Sequence, residues 1–463
     1  MITQQLTEIR PRYVLHLDIT REELDDKKIE DILKHHDFNR LKYMKLQDYY
    51  EGRHDILHRT KDEGKNNNKL INNFASYITD VVTGYFVGKA IAYTSDNEEY
   101  MSLLQGILDS NDEADENAKL VKYCAIKKHA FEILYTDEDG NVSFAAEEPE
   151  NMIMIYDTKV TPEPIFAIRR YKPDTLDIET DEETIEIYDS EKITRYRYYR
   201  GMLTFLDEQE HFFGDVPVIE YKANDERLGL FERQKSLIDA YNKAQSDTMN
   251  DIEYFSDAYL ALVGMGATEP EDVKKLRENK IILLDENGQA YFITKPVDDA
   301  YLEHYKDRIK DDIHRFSMVP NLTDEAFSGT ASGVALRYKL WGLEQIASSL
   351  ERKFRKSIQR RIRLITNILN VRGNYDYRDI ELHFTRNIPV NIKEEAETLG
   401  LLDGRISRDS AYALMSFIED PQAERQAFEE EKESNMSRFN LDLDLDEEEE
   451  QETGDVDESA EDS

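Results

Sequence analysis

The sequence holds a single cysteine, a single tryptophan and only 11 prolines in 463 residues. Cys124 by itself forms no intramolecular disulfide and supports no cysteine-based zinc site, so a reducing compartment is the natural setting. Long apolar runs are missing as well. The longest, residues 258–263, is far below the ~18 residues that span a bilayer, and the first ten residues lack the basic start and apolar stretch of a signal peptide. A chain made and kept in solution, with no membrane partner, is expected. Positive charge is scarce: 59 Lys and Arg stand against 98 Asp and Glu, a formal charge of −39. Affinity for nucleic acid comes chiefly from cations that neutralise phosphates, and this balance argues against tight DNA binding.

What is present is a folded composition with a large polar surface, 40% hydrophobic and 34% charged, including 27 tyrosines. Its length suggests two to four domains. Residues 28–50 form an amphipathic helical stretch that stops near Gly52, and a polar loop at 61–69 precedes a second helix from about Leu70. From 129 to 221 the pattern changes to short alternating segments at 131–135, 142–145, 152–156, 165–171, 184–188, 193–199, 202–206 and 216–221, with turn signals such as Asp139-Gly140-Asn141 between them. This predicts an antiparallel β region.

A long helix is predicted over 231–262, with Ile238, Tyr241, Met249, Ile252, Phe255, Tyr259 and Leu262 at helical spacings. A compact insertion follows at 264–297, with a short helix at 269–279 and strands at 281–284 and 290–294. Residues 299–318 make another helix. Pro320 ends it, and the polar segment 321–331 contains Gly329. Ser332 is a cap candidate for a helix running to Asn370, on which Leu336, Leu340, Leu343, Ala347, Leu350, Phe354, Ile358, Ile362, Ile365 and Leu369 recur every three or four residues. That helix would be roughly 55–60 Å long, with Gly373 as its stop. A strand carrying Ile380, Leu382 and Phe384 leads to a last helical region, for which Ser407 and Asp420 are cap candidates. Residues 441–463 hold 13 acidic residues and no basic one, too few apolar groups to offset the entropy of ordering, and are expected to be disordered.

Chemistry-bearing motifs are near misses. Gly84-Tyr85-Phe86-Val87-Gly88-Lys89-Ala90 has three residues between its glycines where a phosphate loop has four, and Ala90 replaces the hydroxyl that would hold Mg²⁺. His54 and His58 have the spacing of a helical zinc pair, but Asp55 stands where the general-base Glu belongs; they read as solvated histidines near a helix end. In Gly329-Thr330-Ala331-Ser332-Gly333 the serine is one position late for a nucleophile elbow. Asp442, Asp444 and Asp446 lack the glycine and the terminal Glu of a calcium loop. No catalytic residue, metal site or cofactor is expected. One run opposes the global sign: Arg352, Lys353, Arg355, Lys356, Arg360, Arg361 and Arg363. It reads as an ion-pairing face within or between subunits, with direct DNA contact as the other possibility.

Three stretches then carry a resemblance. They are Tyr49-Tyr50-Glu51-Gly52-Arg53-His54-Asp55-Ile56-Leu57 followed by Asn68-Lys69-Leu70-Ile71-Asn72-Asn73 and Gly84 to Gly88; Leu237-Ile238-Asp239-Ala240-Tyr241-Asn242; and Leu401-Leu402-Asp403-Gly404-Arg405-Ile406-Ser407 followed by Ile418-Glu419-Asp420-Pro421. In that order, over about 400 residues, the chain resembles the portal, or head–tail connector, proteins of tailed double-stranded DNA bacteriophages of Gram-positive hosts. The resemblance implies an α+β subunit with a wing (residues 1–230), a helical stem (231–262 and 299–320), a small α/β clip (263–298), a tunnel loop (321–331), a long helix and return strand of the wing (332–400) and a helical crown (401–440).

Copies of such a subunit, twelve in the virion, form a ring through which DNA passes loosely at one capsid vertex, after assembly in the host cytoplasm. The implied partners are the terminase large subunit, which carries the ATPase, a head-completion or adaptor protein, and the scaffolding and major capsid proteins. Asn321, Thr323, Asp324, Glu325, Phe327, Ser328, Gly329 and Thr330 would face DNA in the tunnel loop. Lys306, Arg308 and Lys310 would line the stem channel, and Lys274, Lys275 and Arg277 would meet partners at the clip. A non-viral cytoplasmic scaffold would use the same helices without a channel, and a hydrolase would need one of the near-miss motifs to work.

Overall fold

The computed structural model describes residues 14–63, 65–172, 182–256, 259–263, 289–293, 299–323, 337–388 and short stretches between 397 and 432. After a two-residue strand β1 (Leu15–His16), helix α1 (Asp26–Tyr50) begins where the Asp25 side chain accepts the Lys28 N–H at 2.9 Å. It stops at Gly52, whose φ of +84° suits a residue without a side chain. Helix α2 (Phe74–Val87) is capped by Asn73. Strand β2 (Ala92–Thr94), helix α3 (Glu98–Ser110), capped by Asn97, and helix α4 (Glu113–Lys127) follow. The second helix therefore starts four residues later than its sequence suggests.

All eight segments predicted as strands are strands: β3 (His129–Thr136), β4 (Val142–Glu147), β5 (Met152–Tyr156), β6 (Pro164–Tyr171), β7 (Glu183–Tyr188), β8 (Lys192–Tyr199), β9 (Met202–Glu210) and β10 (Val218–Lys222). They form two sheets. One has the order β1-β5-β6-β7-β8-β9, antiparallel except for the β1–β5 pair, and the other the order β10-β3-β4.

Alternation along each strand explains the layering. Ile153 and Ile155 of β5 pack with Ile29, Ile32 and Leu33 of α1, whereas Met152 and Met154 pack with Phe131, Ile133 and Val218 of the smaller sheet. The far side of that sheet, through Ala130, Leu134, Ile219 and Tyr221, joins the main core with α2 and α4.

Helix α5 (Lys235–Ser256) is preceded by a short 3₁₀ turn at Glu232–Gln234 and followed by strand β11 (Tyr259–Val263), which pairs antiparallel with β12 (Gln289–Ile293). The single helix predicted over 231–262 is thus divided. Tyr259 and Leu262 fit the helical period, yet they belong to a β-prone run whose backbone groups find partners across β12. The pairing expected between 281–284 and 290–294 falls partly outside the described residues, as does the short helix at 269–279.

Helix α6 (Asp299–Ser317) returns beside α5, and the Gln234 side chain donates to the Phe316 carbonyl at 2.8 Å, bringing the start of one helix to the end of the other. Helix α7 (Trp341–Leu369) buries Leu343, Ala347, Leu350, Phe354, Ile358, Ile362 and Ile365, as its spacing predicts. Its 29 residues span about 43 Å, shorter than expected, because a turn at Leu340 separates it from the helical residues 337–339. Strand β13 (Glu381–His383) pairs with β2, and α8 (Arg408–Ala413) is capped by Ser407, which accepts the Ser410 N–H at 3.2 Å. The caps expected at Ser332 and Asp420 lie outside the described residues.

Candidate functional site

The first two stretches that carry the resemblance meet at the base of α5. Asn242, Ser246 and Asn250 recur every four residues on one buried face of that helix. Each accepts a backbone N–H from the extended segment 68–72: Asn72 at 2.7 Å, Leu70 at 2.9 Å and Asn68 at 2.8 Å. The match is geometric. Four helical residues rise about 6 Å and two extended residues advance about 6.6 Å, so alternate amides of the segment meet successive turns of the helix.

His54 closes the network. Its Nδ1 accepts from the Asn242 amide at 2.8 Å and its Nε2–H donates to the Tyr49 carbonyl at 2.9 Å, while the Tyr49 ring stacks on it at 4.5 Å. Tyr49 donates its hydroxyl to Asp239 at 2.8 Å, and burial together with that carboxylate pushes the phenol well above its usual range. Arg59 bridges the same two pieces, donating to Asp247 at 2.9 Å and to the Asn68 carbonyl at 2.8 Å. His54 is therefore a fully buried structural residue and not the solvated histidine its neighbours suggested. His58 is exposed. Polar residues recurring every four positions on α5 were the available signal for this network, and sequence reasoning passed over them.

The root of the segment 321–331 is built by α2, α6 and α7. Tyr77 donates its hydroxyl to the Pro320 carbonyl and accepts the Leu322 N–H, both at 2.8 Å. His314, set edge-on to Phe74 and Tyr77, donates a ring N–H to the Val319 carbonyl at 3.0 Å. Met318 adopts φ +57°, and a β-carbon on Gly342 would stand 3.0 Å from the Met318 carbonyl oxygen, so glycine permits the start of α7 to close on the end of α6. Asn321 accepts from the Thr323 N–H and hydroxyl at 3.2 and 2.8 Å. The rest of the loop set, Asp324, Glu325, Phe327, Ser328, Gly329 and Thr330, lies outside the described residues, as do Lys274, Lys275 and Arg277.

The three stem candidates do not share a face. Lys306 is buried and paired with Glu303; Lys310 pairs with Asp307 at 2.9 Å; Arg308 is exposed on the opposite side of α6, because two helical residues turn the direction by about 200°. Beside the buried Ile309 and Ile313, the helix leaves Tyr301, Tyr305 and Phe316 exposed, and α5 leaves Met249 and Ile252 exposed.

The basic run behaves as an ion-pairing face within the chain. Arg361, fully buried, bonds Glu132 at 2.6 and 2.9 Å, Glu113 at 3.1 Å and Asn117 at 2.8 Å. Lys353 pairs with Asp225, Arg355 with Glu351, and Arg360 and Arg363 share Asp215. Gly84 lies inside α2 and Gly88 at its C-terminal end, where exposed carbonyls repel phosphate. Among the described residues no group of three His, Cys, Asp or Glu side chains could hold a metal ion, and no helix is long and apolar enough to cross a membrane.

Comparison with known proteins gives a consistent picture. A family model described as phage portal protein, SPP1 Gp6-like, matches residues 29–438. The portal protein of Bacillus phage SPP1 is 25% identical over 392 residues, covering 80% of this chain and 77% of that protein. The portal protein of Clostridium phage phiCD119 is 22% identical over 445 residues, covering 89% of this chain and 97% of that one. Among solved structures, a chain from the neck of a native GTA particle computed with C12 symmetry superposes with a TM-score of 0.45 at 11% identity, covering 73% of this chain and 88% of that one.

Proposed function

Since this chain belongs to the SPP1 Gp6-like family of phage portal proteins, we propose that copies of it, twelve in the virion, close into a ring at one capsid vertex and pass double-stranded DNA during packaging, retention and ejection. The family is a structural one. In this reading α5 and α6 are the stem, the β11–β12 pair belongs to the clip, the two sheets with α1 to α4 and α7 are the wing, and residues 321–331 reach toward the DNA. The terminase large subunit and, later, a head-completion protein dock at the clip; scaffolding and major capsid proteins meet the outside.

The observation that carries the reading is the uncovered apolar side of the stem. Ile252 is 55% and Tyr301 66% exposed on helices that already bury their other faces. An amphipathic pair with a second apolar strip is stable in water only when a neighbour covers it. Neighbouring copies arranged around a closed symmetry axis would do so. The charge balance also favours passage over grip, because each phosphate contact adds salt-dependent affinity and hence friction.

The loop assignment has its own test. Asp324→Lys with Glu325→Lys places two attractive charges per subunit beside the DNA, and packaging in vitro should slow or stall at low salt and recover at high salt as screening weakens the contacts. Packaging at the parental rate at low salt would remove residues 321–331 from the constriction.

A further inference from the structure

A cavity of about 590 Å³ opens between β10, the turn at 161–164 and the outer side of α7. Helix α7 lines it with Lys353, Lys356, Arg360 and Arg363, spaced three, four and three residues apart, and Lys222 and Arg227 stand beside them. The stripe on α7 is about 15 Å long at 1.5 Å per residue. Of the acids in the wall, Glu220 holds Arg227 at 2.7 Å and His129 at 2.8 Å, Asp225 holds Lys353 at 2.6 Å, and the exposed Glu163 stands 3.7 Å from Lys159. Asp215 is shared by two arginines, whose Nε atoms are buried without a partner. Lys222 and Lys356 have no salt bridge among the described residues. Burial lowers the Lys222 ammonium from its usual range, so an anion at this point would relieve a real penalty. A concentrated positive excess in a chain of net charge −39 calls for a ligand of opposite sign.

Size and lining narrow the ligand. A duplex, whose major groove alone is about 12 Å wide, cannot enter this cavity. Single-stranded nucleic acid is held by cations interleaved with stacking aromatics, but Tyr156 is already stacked on His16 and donates to Glu220. An extended acidic peptide fits. The chain contains one: Leu441-Asp442-Leu443-Asp444-Leu445-Asp446, followed by Glu447 to Glu450. In extended conformation alternate residues share a face, which places the three aspartates on one side over about 13 Å, close to the length of the stripe.

We propose that this cavity is the docking site for the acidic segment 441–450 of the same chain or of a neighbouring copy. Carboxylates would meet guanidinium and ammonium groups in charge-assisted hydrogen bonds, and the contact would weaken with salt.

Zero-length carbodiimide coupling, which joins a lysine amine only to a carboxylate in direct contact, tests the proposal on the full-length protein at low salt. Mass analysis should find Lys222, Lys353 and Lys356 joined to residues 442–450, and the products should disappear at high salt. Lys222→Gln with Lys356→Glu removes no salt bridge among the described residues, and should reduce coupling at Lys353 about tenfold as two attractive contacts are lost. Coupling of the Lys192–Glu208 pair, 2.7 Å apart, should be unchanged and serves as the control for folding. Coupling of the segment evenly to lysines over the whole surface, or none while the control pair couples, overturns the proposal. So does better protection of these three lysines by a short single-stranded oligonucleotide than by the synthetic peptide 441–450, which would assign the cavity to nucleic acid.

Discussion

Arg361 carries a guanidinium into a core that excludes water, between Glu132 and Glu113 and over the Phe144 ring at 4.6 Å. Burial pushes the Glu132 carboxyl up even against that guanidinium, so the group depends on its partner. Arg361→Met should lower stability by about 3–5 kcal/mol by leaving carboxylates buried and unpaired, measured by urea unfolding. Adding Glu132→Gln should restore part of the loss, a non-additivity that a merely steric defect would not show. His36 gives a pH dependence. It is buried with one ring nitrogen on the Pro149 carbonyl at 2.8 Å, and burial lowers its pKa to about 3 from 6.5. The unfolded chain therefore takes up the proton first, and stability is full above pH 6.5 and falls as the pH drops toward 3. At pH 5 the loss from this group is about 2 kcal/mol. His36→Gln should flatten the acid limb of a plot of melting temperature against pH; an unchanged limb would assign the acid sensitivity to other groups.

At the scale of elements, the ladder on α5 decides where the N-terminal extended segment lies. Replacing Ser246 by Ala or Asn250 by Leu leaves a backbone N–H of residues 68–72 without its acceptor, a cost of about 1–3 kcal/mol each. Amide hydrogen exchange should accelerate at Asn68, Leu70 and Asn72 while β5 to β8 stay protected. Uniform acceleration everywhere would mean that the segment is no separate unit. The same scale shows where pattern reading fails. Residues 343–365 were legible as a helix because one face is apolar over about six turns. Residues 259–263 were not legible as a strand, because a five-residue run fits either period and its partner sits about thirty residues away at β12.

For the whole molecule, the proposed ring makes the exposed strips on α5 and α6 the place to test assembly. Met249→Asp with Ile252→Asp should leave the circular dichroism spectrum intact, since both side chains are exposed in the chain, yet shift the protein from rings to monomers in mass photometry. Rings persisting at micromolar concentration would move the subunit interface elsewhere.

By itself the sequence determined the class of the fold, the eight strands, the cap at Ser407 and the family, because periodicity and capping are local and several of the quoted stretches are contiguous. Only the tertiary structure decided that His54 is buried, that Lys306 is paired and turned away from solvent, that the basic run is largely neutralised by Glu132, Asp215 and Asp225, and that β11 leaves the line of α5. Each of these depends on which distant residue stands opposite. A carboxylate 148 positions away in the chain, as Asp215 is from Arg363, has no signature in the spacing around either residue, and only folding brings the two together.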